Sequence, residues 1–453
     1  MIIFKNKKKY LILLILIIIF FTIFIKVTNI VRYGYDRQSK VIEFVKSIIP
    51  KHYIGKIKNT IFTIPNLKAR NEFLSLQVRK FEQGYEGQKY KSNEYDLDGQ
   101  KFNVNYFFTP FKRLDVNLGW NAQKNSLRAH YAEIQKEKIF LISGEGETIY
   151  FDKKNLLNDR LNYQKLDNNI SEFLKEKELE LIGIRDLHFH NDQVLISLIT
   201  KSDKGITIDI YGAELNFKKL IFKNKFKINE YWQEYNVFSG GRIEKFDNES
   251  ILFSIGFSYV KNAAQQSDSL LGKIVKVNLK TNTHEIISIG HRNPQGLKYI
   301  RHHNLIMNSE HGPKGGDEIN FNYLDEANIN KNFGWPIASY GEPYFGPNLF
   351  KKNHADYGFV EPAIYFTPSI GISEILYFKK NPFCNMKECV LASSLRANSI
   401  YFMNFDNGDK NLILKNRIHL KRNRIRDIDY DEDLNLIIML SENIPSIVTL
   451  EKL

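Results

Sequence analysis

Beyond residue 105, apolar residues recur along the chain in short bursts, each preceded by a polar or glycine-containing turn. The bursts are rich in Ile, Val, Thr, Phe and Tyr, which fit the pleated surface of a β-strand, and no continuous helical period runs through them. We read six such units, spaced about 55 residues apart with one gap of about 75 residues. Their starts lie near Arg128, Gly183, Gly241, Gly296, Ile372 and Ile425.

Six units of this size predict a six-bladed β-propeller, in which each blade is a four-stranded antiparallel sheet. We therefore expect residues 105–453 to form one all-β domain. Two packed β-sheets in a sandwich are the structural alternative. The longest candidate loop covers about residues 321–370 and is rich in Asn, Gly, Pro and Tyr. A loop of that length in a compact domain is typically functional.

The N-terminal region has a different pattern, an uncharged apolar run at residues 10–25 that apolar neighbours extend. A helix that spans a bilayer needs roughly 20 apolar residues. The sequence therefore predicts a transmembrane signal anchor at residues 10–28, preceded by a cytoplasmic basic tail at residues 1–9. Residues 29–104 are then a juxtamembrane stalk and lead-in. A cleaved signal peptide is the alternative, but no small-x-small cleavage site follows the run.

The charge distribution supports the membrane reading and argues against nucleic acid. The formal charge is +13, and residues 1–60 hold twelve Lys or Arg against two acids, which leaves +3 for the other 393 residues. Basic residues beside an apolar segment attract anionic lipid headgroups, whereas the remainder has no basic field for a polyanion. The lysines before the apolar run favour a cytoplasmic N-terminus. We expect the propeller on the periplasmic or extracellular side of the inner or plasma membrane.

Two cysteines, Cys384 and Cys389, lie within one Cys-Asn-Met-Lys-Glu-Cys segment. Two thiols alone cannot complete a structural zinc site. They are therefore either unpaired thiols or a small disulfide, and an oxidising compartment outside the cytosol favours the disulfide.

Four motifs of rare residues follow one another within residues 290–341. They are Gly290-His-Arg-Asn-Pro-Gln-Gly296, Glu310-His-Gly-Pro313, Gly316-Asp-Glu-Ile-Asn320 and Asn332-Phe-Gly-Trp-Pro336. In this order they resemble the pyrroloquinoline-quinone-dependent glucose and aldose sugar dehydrogenases, the glucose/sorbosone dehydrogenase family. The resemblance continues more weakly from Gly183 to the C-terminus and is faint before residue 120. It implies a quinoprotein oxidoreductase that oxidises an aldose sugar or similar alcohol with pyrroloquinoline quinone (PQQ) and calcium, and passes electrons to an acceptor that the sequence does not identify.

The resemblance also implies which residues hold the cofactor, a flat tricarboxylate with an ortho-quinone. Arg292 and Asn293 would meet the quinone oxygens, and Arg292 would stabilise negative charge there, because an arginine fork suits carbonyl and carboxylate oxygens. Arg424 and Arg426 match paired arginines that hold the cofactor carboxylates, and residues two apart on a strand share a face. Arg396 falls where the family often has a lysine against the cofactor.

Backbone oxygens would supply the metal site that the resemblance implies. Gly312 and Pro313 offer carbonyls to calcium, a hard cation that takes oxygen ligands. The acids that follow, Asp317 and Glu318, are interpreted as structural residues that tie down the loop backbone.

The general base of the family is missing from this sequence. The family has a histidine shortly before a Gly-Arg pair and an aspartate on the next strand, whereas this chain has Val237 and Phe238 before Arg242 and has Phe257 at the later position. General-base catalysis contributes roughly 10²–10⁴-fold to a rate. A catalytically impaired propeller that binds a ligand or protein is therefore the alternative, and a calcium-dependent propeller hydrolase is a third possibility. The cofactor arginines favour the dehydrogenase, because an empty pocket gives them little reason to occur together.

Three histidines could replace the missing base. His291, His311 and His354 lie within or near the motif region. Nothing in the sequence places any of them beside a substrate, so the base stays unassigned.

Overall fold

The computed structural model describes residues 86–453, apart from gaps at residues 98, 112–128, 234–238, 261, 326–330, 345, 407–409 and 422. The predicted basic tail, the predicted anchor at residues 10–28 and most of the predicted stalk lie outside the described residues. No helix among the residues that are described has both the length and the hydropathy of a membrane span. The described part belongs to one compact unit, Gln83–Leu453.

Twenty-seven strands in the described residues form six sheets, which we number as blades 1 to 6. The chain begins with β1 (Lys89–Leu97) and β2 (Gln100–Phe108). Blade 1 contains β3 (His130–Gln135), β4 (Lys138–Ser143), β5 (Thr148–Asp152) and β6 (Gln164–Asn168), followed by α1 (Ile170–Glu176). Blade 2 contains β7 (Glu180–His190), β8 (Gln193–Ser202), β9 (Gly205–Glu214) and β11 (Lys223–Lys227), whereas the intervening β10 (Lys219–Leu220) pairs with β6 and belongs to blade 1.

The remaining blades follow the same inner-to-outer order. Blade 3 contains β12 (Gly240–Lys245), β13 (Ser250–Ile255), β14 (Lys273–Asn278) and β15 (His284–Ile289). Blade 4 contains β16 (Pro294–Ile300), β17 (Leu305–Glu310), β18 (Asp317–Tyr323) and β20 (Ile364–Phe366), whereas the intervening β19 (Lys331–Asn332) pairs with β15 and belongs to blade 3. Blade 5 contains β21 (Ile372–Asn381), β22 (Lys387–Ser394), β23 (Ser399–Phe405) and β24 (Leu412–His419). Blade 6 contains β25 (Ile425–Asp431), β26 (Leu436–Ser441) and β27 (Ser446–Lys452). Short 3₁₀ turns lie at Lys153–Leu157, Ala263–Gln265, Arg301–His303, Ala355–Tyr357 and Pro382–Cys384.

The first strand of each blade contacts the first strand of the next, so that β3, β7, β12, β16, β21 and β25 form a closed ring. Blade 6 is completed from the other end of the chain, because β2 pairs antiparallel with β27 and β1 pairs with β2. The predicted six-bladed propeller is therefore confirmed, and the sandwich alternative is wrong. The predicted boundary at residue 105 falls inside β2, so the blade sheet extends to the N-terminal side of it.

The apolar bursts pack between neighbouring blades. In one cluster, Phe102 of β2 and Met439 of β26 contact side chains of blade 5 that include Leu391 of β22. Alternate strand residues point to opposite faces, and each blade here is covered on both faces by its neighbours. This explains why the second strand of a blade, such as β13 (Ser250–Ile255) or β26 (Leu436–Ser441), reads as a nearly continuous apolar run instead of an alternation of apolar and polar residues.

Cys384 and Cys389 form a disulfide with a Cα–Cα distance of 6.2 Å. The bond joins the 3₁₀ turn Pro382–Cys384 to the first residues of β22. The disulfide expected from the sequence is confirmed.

A buried arginine occupies the middle of the inner ring. Arg242 of β12 contacts Asp186 of β7 (Nη1–Oδ1, 2.9 Å), Glu374 of β21 (Nε–Oε2, 2.9 Å) and Asp427 of β25 (Nη1–Oδ1, 2.7 Å). The four side chains are at least nine-tenths buried. Since buried charges are tolerated when they are paired and hydrogen-bonded, this network favours one arrangement of four blades around the axis.

The same arginine also contacts the remaining two inner strands. Its Nε donates to the backbone carbonyl of Gln295 at 2.7 Å, and its guanidinium carbon lies 4.9 Å from the ring centroid of Tyr131 on β3. Arg242 therefore joins the inner strands of all six blades.

Candidate functional site

Arg292 lies at one end of the inner ring, immediately before β16. Its Nη1 donates to the carbonyl oxygens of His311 (2.7 Å) and Gly312 (2.8 Å), in the loop between β17 and β18. Its backbone N–H donates to Glu310 Oε2 at 2.7 Å, and its guanidinium lies 5.0 Å from the Trp335 ring centroid. Three of the four sequence motifs therefore meet around one guanidinium.

Arg424 and Arg426 share one carboxylate. Arg426 Nε lies 2.6 Å from Glu442 Oε1 and Arg424 Nε lies 3.3 Å from Glu442 Oε2. Burial acts to raise the pKa of Glu442, but the charges of Arg426 and Arg424 outweigh it and hold this pKa at about 2. Glu442 is therefore ionised at neutral pH, and the trio keeps a net positive charge.

The two arginines differ in how much of their surface remains available. The side chain of Arg424 is 38% exposed, whereas that of Arg426 is 9% exposed and also donates through Nη1 to Gln295 Oε1 at 2.6 Å. Both belong to one site, as the two-residue spacing predicts. Only Arg424 presents much of its guanidinium to a ligand.

Gln295 connects the two halves of the site. Its Nε2 donates to Asn293 Oδ1 at 3.1 Å, and its Oε1 accepts from Arg426. Asn293 Oδ1 also accepts from the backbone N–H of Gly240 at 3.3 Å. The structure thus brings Asn293 into the predicted cluster, but its amide oxygen contacts protein groups.

His311 lies among the three arginines. Its Nε2 donates to the carbonyl of Ile372, and its backbone N–H donates to the carbonyl of Asn293 at 3.1 Å. Burial, together with the charges of Arg426 and Arg292, lowers the pKa of His311 to about 3. His311 is therefore neutral at physiological pH and adds no charge to the site.

Arg396 lies at the edge of the site and is exposed. The backbone carbonyl of its neighbour Leu395 accepts a long hydrogen bond from Arg424 Nη1 (3.4 Å). The backbone N–H of Arg396 donates to the carbonyl of Ile370 at 3.0 Å. This turn lies close against Gly371, just before β21. A Cβ added at Gly371 would lie only 2.9 Å from the Arg396 backbone nitrogen, so the close approach requires glycine. The structure therefore places the turn that carries Arg396 beside Arg424, and a contact of the Arg396 side chain with the cofactor stays a prediction.

The loop before β18 is held by an acid, as expected. Asp317 Oδ2 accepts from the backbone N–H groups of Gly371 (2.6 Å) and Ile372 (3.1 Å), and Oδ1 accepts from that of Gly312 (3.2 Å). Burial raises the pKa of Asp317 to about 6 although these hydrogen bonds act in the opposite direction.

The two carbonyls expected to bind calcium already have protein partners. Gly312 O accepts from Arg292, and Pro313 O accepts from Ser369 Oγ at 3.2 Å. Calcium takes six to eight oxygen ligands, and a guanidinium against one of these carbonyls repels a dication. These two carbonyls therefore do not form a calcium site by themselves.

A phenylalanine occupies the position where the family pattern has an aspartate. Phe257 is buried, and its ring packs edge-on against Tyr259 (5.1 Å between centroids) and Trp335 (5.2 Å). Its backbone N–H donates to the carbonyl of Arg292 at 3.0 Å, so it lies beside the site without a proton-accepting group. Val237 and Phe238, which stand near the expected histidine, lie outside the described residues.

Two of the three candidate replacement histidines are internal. His291 contacts Ser288 Oγ (2.8 Å) and is fully buried, and His354 packs on Tyr340 with 5.2 Å between ring centroids. Of the three, the structure places His311 among the arginines. The sequence offers His311 as a candidate base without predicting its location, and no signal in it predicts a role for Gln295, Glu442 or Trp335.

A family model matches most of the propeller. The model described as Glucose / Sorbosone dehydrogenase matches residues 186–448, which is more than half of the chain. Aldose sugar dehydrogenase YliI of Escherichia coli is 31% identical over 220 residues, which cover 45% of this chain and 57% of that protein. The chain thus spans about half the length of the curated relatives that it matches.

Solved structures show the same fold. The apo form of the soluble aldose sugar dehydrogenase of Escherichia coli superposes with a TM-score of 0.57 at 20% identity, over 71% of this chain and 95% of that one. The PQQ-bound aldose sugar dehydrogenase of Streptomyces coelicolor gives a TM-score of 0.53 at 17% identity, over 78% and 98%. With the ring of six blades and the converging motifs, the family match establishes that this chain belongs to the glucose/sorbosone dehydrogenase family.

Proposed function

We propose that this protein is a PQQ-dependent oxidoreductase that oxidises an aldose sugar or a similar alcohol. The observation that carries the proposal is the convergence of Arg292, Arg424 and Arg426 around the neutral His311 at one end of the inner ring. A flat tricarboxylate needs several cations on one side, and arginine binds carboxylates in the geometry of its planar fork. The relatives described as aldose sugar dehydrogenases support the substrate class.

Each arginine would have a distinct task. Arg424, the more exposed of the pair, would hold a cofactor carboxylate, while Arg426 fixes Glu442 and Gln295. Arg292 would meet the quinone oxygens, where its positive charge stabilises negative charge as the cofactor is reduced. The bound quinone would supply the acceptor for hydride from the sugar carbon that carries the hydroxyl.

The proton of that hydroxyl has no assigned acceptor among the described residues. A histidine with a pKa of about 3 is a weak base at neutral pH. The buried ring of Phe257 beside Arg292 therefore favours a second candidate function, a propeller that binds the cofactor or a sugar without rapid turnover.

Calcium enters the proposal only together with the cofactor. The carbonyls of Gly312 and Pro313 supply two oxygens, and cofactor oxygens would have to complete the coordination shell. Arg292 would also have to release Gly312 O. The proposal therefore includes calcium-dependent cofactor binding, because neither partner forms a complete site alone.

We also infer a membrane tether from the apolar segment at residues 10–28 and the basic residues around it. The propeller would then lie on the periplasmic or extracellular side. Extraction of isolated membranes with alkaline carbonate should leave the full chain in the pellet and release a chain that lacks residues 1–28. Protease added outside intact cells, with any outer membrane permeabilised, should digest the propeller. Release of the full chain or complete protection would contradict the tether or the orientation, respectively.

Reconstitution of the purified chain tests the proposed function. Titration with PQQ and Ca²⁺ should give stoichiometric binding by absorbance, and binding should weaken strongly in a chelator. Arg424→Ala should weaken cofactor binding by roughly ten- to a hundredfold, because a hydrogen bond to a charged group contributes about 1.5–3 kcal/mol. Arg301→Ala, which removes an exposed arginine at the β16–β17 turn, is the matched control and should bind normally.

The same preparation separates the two candidate functions. With an aldose and an artificial electron acceptor, an oxidoreductase reduces the acceptor, whereas a binding propeller binds the cofactor without turnover. A wild-type protein that does not bind PQQ even with Ca²⁺ present would rule out the oxidoreductase.

A further inference from the structure

A cluster of metal-ligating side chains lies where β16 turns into β17. The 3₁₀ turn Arg301–His303 places His302 and His303 side by side, with 4.4 Å between their ring centroids. Glu388 of β22 reaches them from the next blade. Its Oε1 lies 2.5 Å from His303 Nε2 and 3.7 Å from His302 Nε2.

This cluster is remote from the proposed cofactor site. β16 begins at Pro294, two residues after Arg292, and the two histidines follow its last residue. Seven strand residues at about 3.3 Å each separate the two places by roughly 20 Å. The cluster therefore lies at the opposite end of the inner strand, and its chemistry is independent of the arginines.

We propose that His302, His303 and Glu388 bind a divalent transition-metal ion, with Zn²⁺ the best fit. The three ligating atoms all lie within 4.8 Å of one another. Two imidazole nitrogens and one carboxylate oxygen at about 2.0–2.2 Å are a known tetrahedral zinc set, with the fourth position left for water. Donors at such distances are about 3.3 Å apart in a tetrahedron, so side-chain adjustments suffice. Calcium and magnesium prefer all-oxygen ligands and fit less well.

The surroundings hold the three ligands in place. The Tyr377 hydroxyl lies 2.8 Å from His302 Nε2 and donates to Glu388 Oε1, so that it orients the carboxylate. These contacts bring the ligating atoms to one point, and a bound ion would take their place at His302 Nε2 and Glu388 Oε1. Glu388 lies inside the loop that the Cys384–Cys389 disulfide closes, directly beside Cys389.

Solvent can deliver the ion. The side chains of His302, His303 and Glu388 are 38%, 23% and 27% exposed. The histidines belong to blade 4 and the glutamate to blade 5, so a bound ion links two adjacent blades on the face away from the cofactor site. Its expected role is to stabilise that pair of blades, since a ligand that binds only the native state shifts the folding equilibrium towards it.

Zinc titration of the chelator-treated full chain, without PQQ, tests the proposal. Competition with a chromophoric chelator should give one Zn²⁺ per chain, and Zn²⁺ should raise the thermal midpoint. Co²⁺ in place of Zn²⁺ should give the intense visible absorption of a four-coordinate site. Glu388→Gln and His303→Ala should each weaken binding by at least roughly tenfold, since loss of even a supporting partner costs that much.

His284→Ala, which removes an exposed histidine of β15 outside the cluster, is the matched control and should bind Zn²⁺ as the wild type does. Affinity should also fall on acidification, because protons compete for the imidazoles. A hydrogen-bonded trio without a metal function predicts no stoichiometric binding. That result, or wild-type affinity in the Glu388→Gln and His303→Ala variants, would overturn the proposal.

Discussion

Replacement of Arg242 by alanine should lower the free energy of unfolding by about 3–5 kcal/mol, because the loss of one partner from a buried ion network leaves uncompensated charge. Three carboxylates, those of Asp186, Glu374 and Asp427, would lose their common cation. The variant would also lose the hydrogen bond to the Gln295 carbonyl. A change of this size is a large fraction of the stability of an ordinary domain.

The loss of unfolding free energy in Arg242→Ala should increase with pH. Burial raises the pKa values of Asp186 and Glu374, and the charge of Arg242 acts against that increase. Without Arg242, both folded-state pKa values rise further above the unfolded value of about 4. A carboxyl with a raised folded-state pKa contributes most below its unfolded pKa, and that contribution is lost as pH rises through the folded-state pKa. Arg242→Ala should therefore be closer to wild type at pH 5 than at pH 8.

Urea denaturation at the two pH values, followed by tryptophan fluorescence, measures both effects. Arg301→Ala serves as the control, because that side chain is exposed and makes one hydrogen bond to the Phe246 carbonyl at 3.2 Å. A loss below about 1 kcal/mol, the range of an exposed ion pair, would contradict the assigned role of the network.

Arg292→Ala should lower the rate of cofactor reduction by about 10²–10³-fold, the effect of removing one preorganised donor from developing negative charge. The expected change in PQQ affinity is smaller than for Arg424→Ala, because Arg292 faces the quinone oxygens in the proposed arrangement and Arg424 faces a carboxylate. Stopped-flow reduction by an aldose at saturating cofactor separates the rate from the affinity. This result rests on the proposed function.

Arg292→Lys is the informative companion variant. Lysine keeps the charge but lacks the planar fork, so it should recover part of the rate. If both variants reduce the cofactor as fast as wild type while Arg424→Ala still weakens binding, Arg292 is structural, through its contacts with the His311 and Gly312 carbonyls. If wild type itself binds PQQ without reduction, the binding propeller replaces the oxidoreductase.

Much of the fold could be predicted because the strand bursts are local and periodic. The predicted starts at Gly241, Gly296, Ile372 and Ile425 each lie within or at the start of an inner strand. The predicted boundary at residue 105 leaves β1 and the first half of β2 in the lead-in, because β27, the sheet partner of β2, is distant in the sequence. A pairing of that kind has no local signal.

The candidate site could be predicted only as far as its motifs reach. Sequence motifs predict four residues of the site, and the structure brings them together: Arg292, Asn293, Arg424 and Arg426. Glu442 was not predicted, since a single glutamate far from any motif becomes meaningful only when folding places it between two arginines. The hydrogen-bond donors to the Gly312 and Pro313 carbonyls cannot be predicted for the same reason, because the sequence does not show which side chain folds against a given carbonyl.

The pairing of β2 with β27 sets the order in which the protein can be completed during synthesis. The strands β1 and β2 leave the ribosome before blades 1 to 5, whereas their sheet partner β27 follows all of these blades in the chain. Until β27 has been made, the outer strands β1 and β2 cannot join blade 6, and the edge of β2 has no sheet partner. Exposed strand edges of this kind promote association between chains. Because contacts between distant parts of a chain are slow to form, the last blade closes only after β27 has been translated.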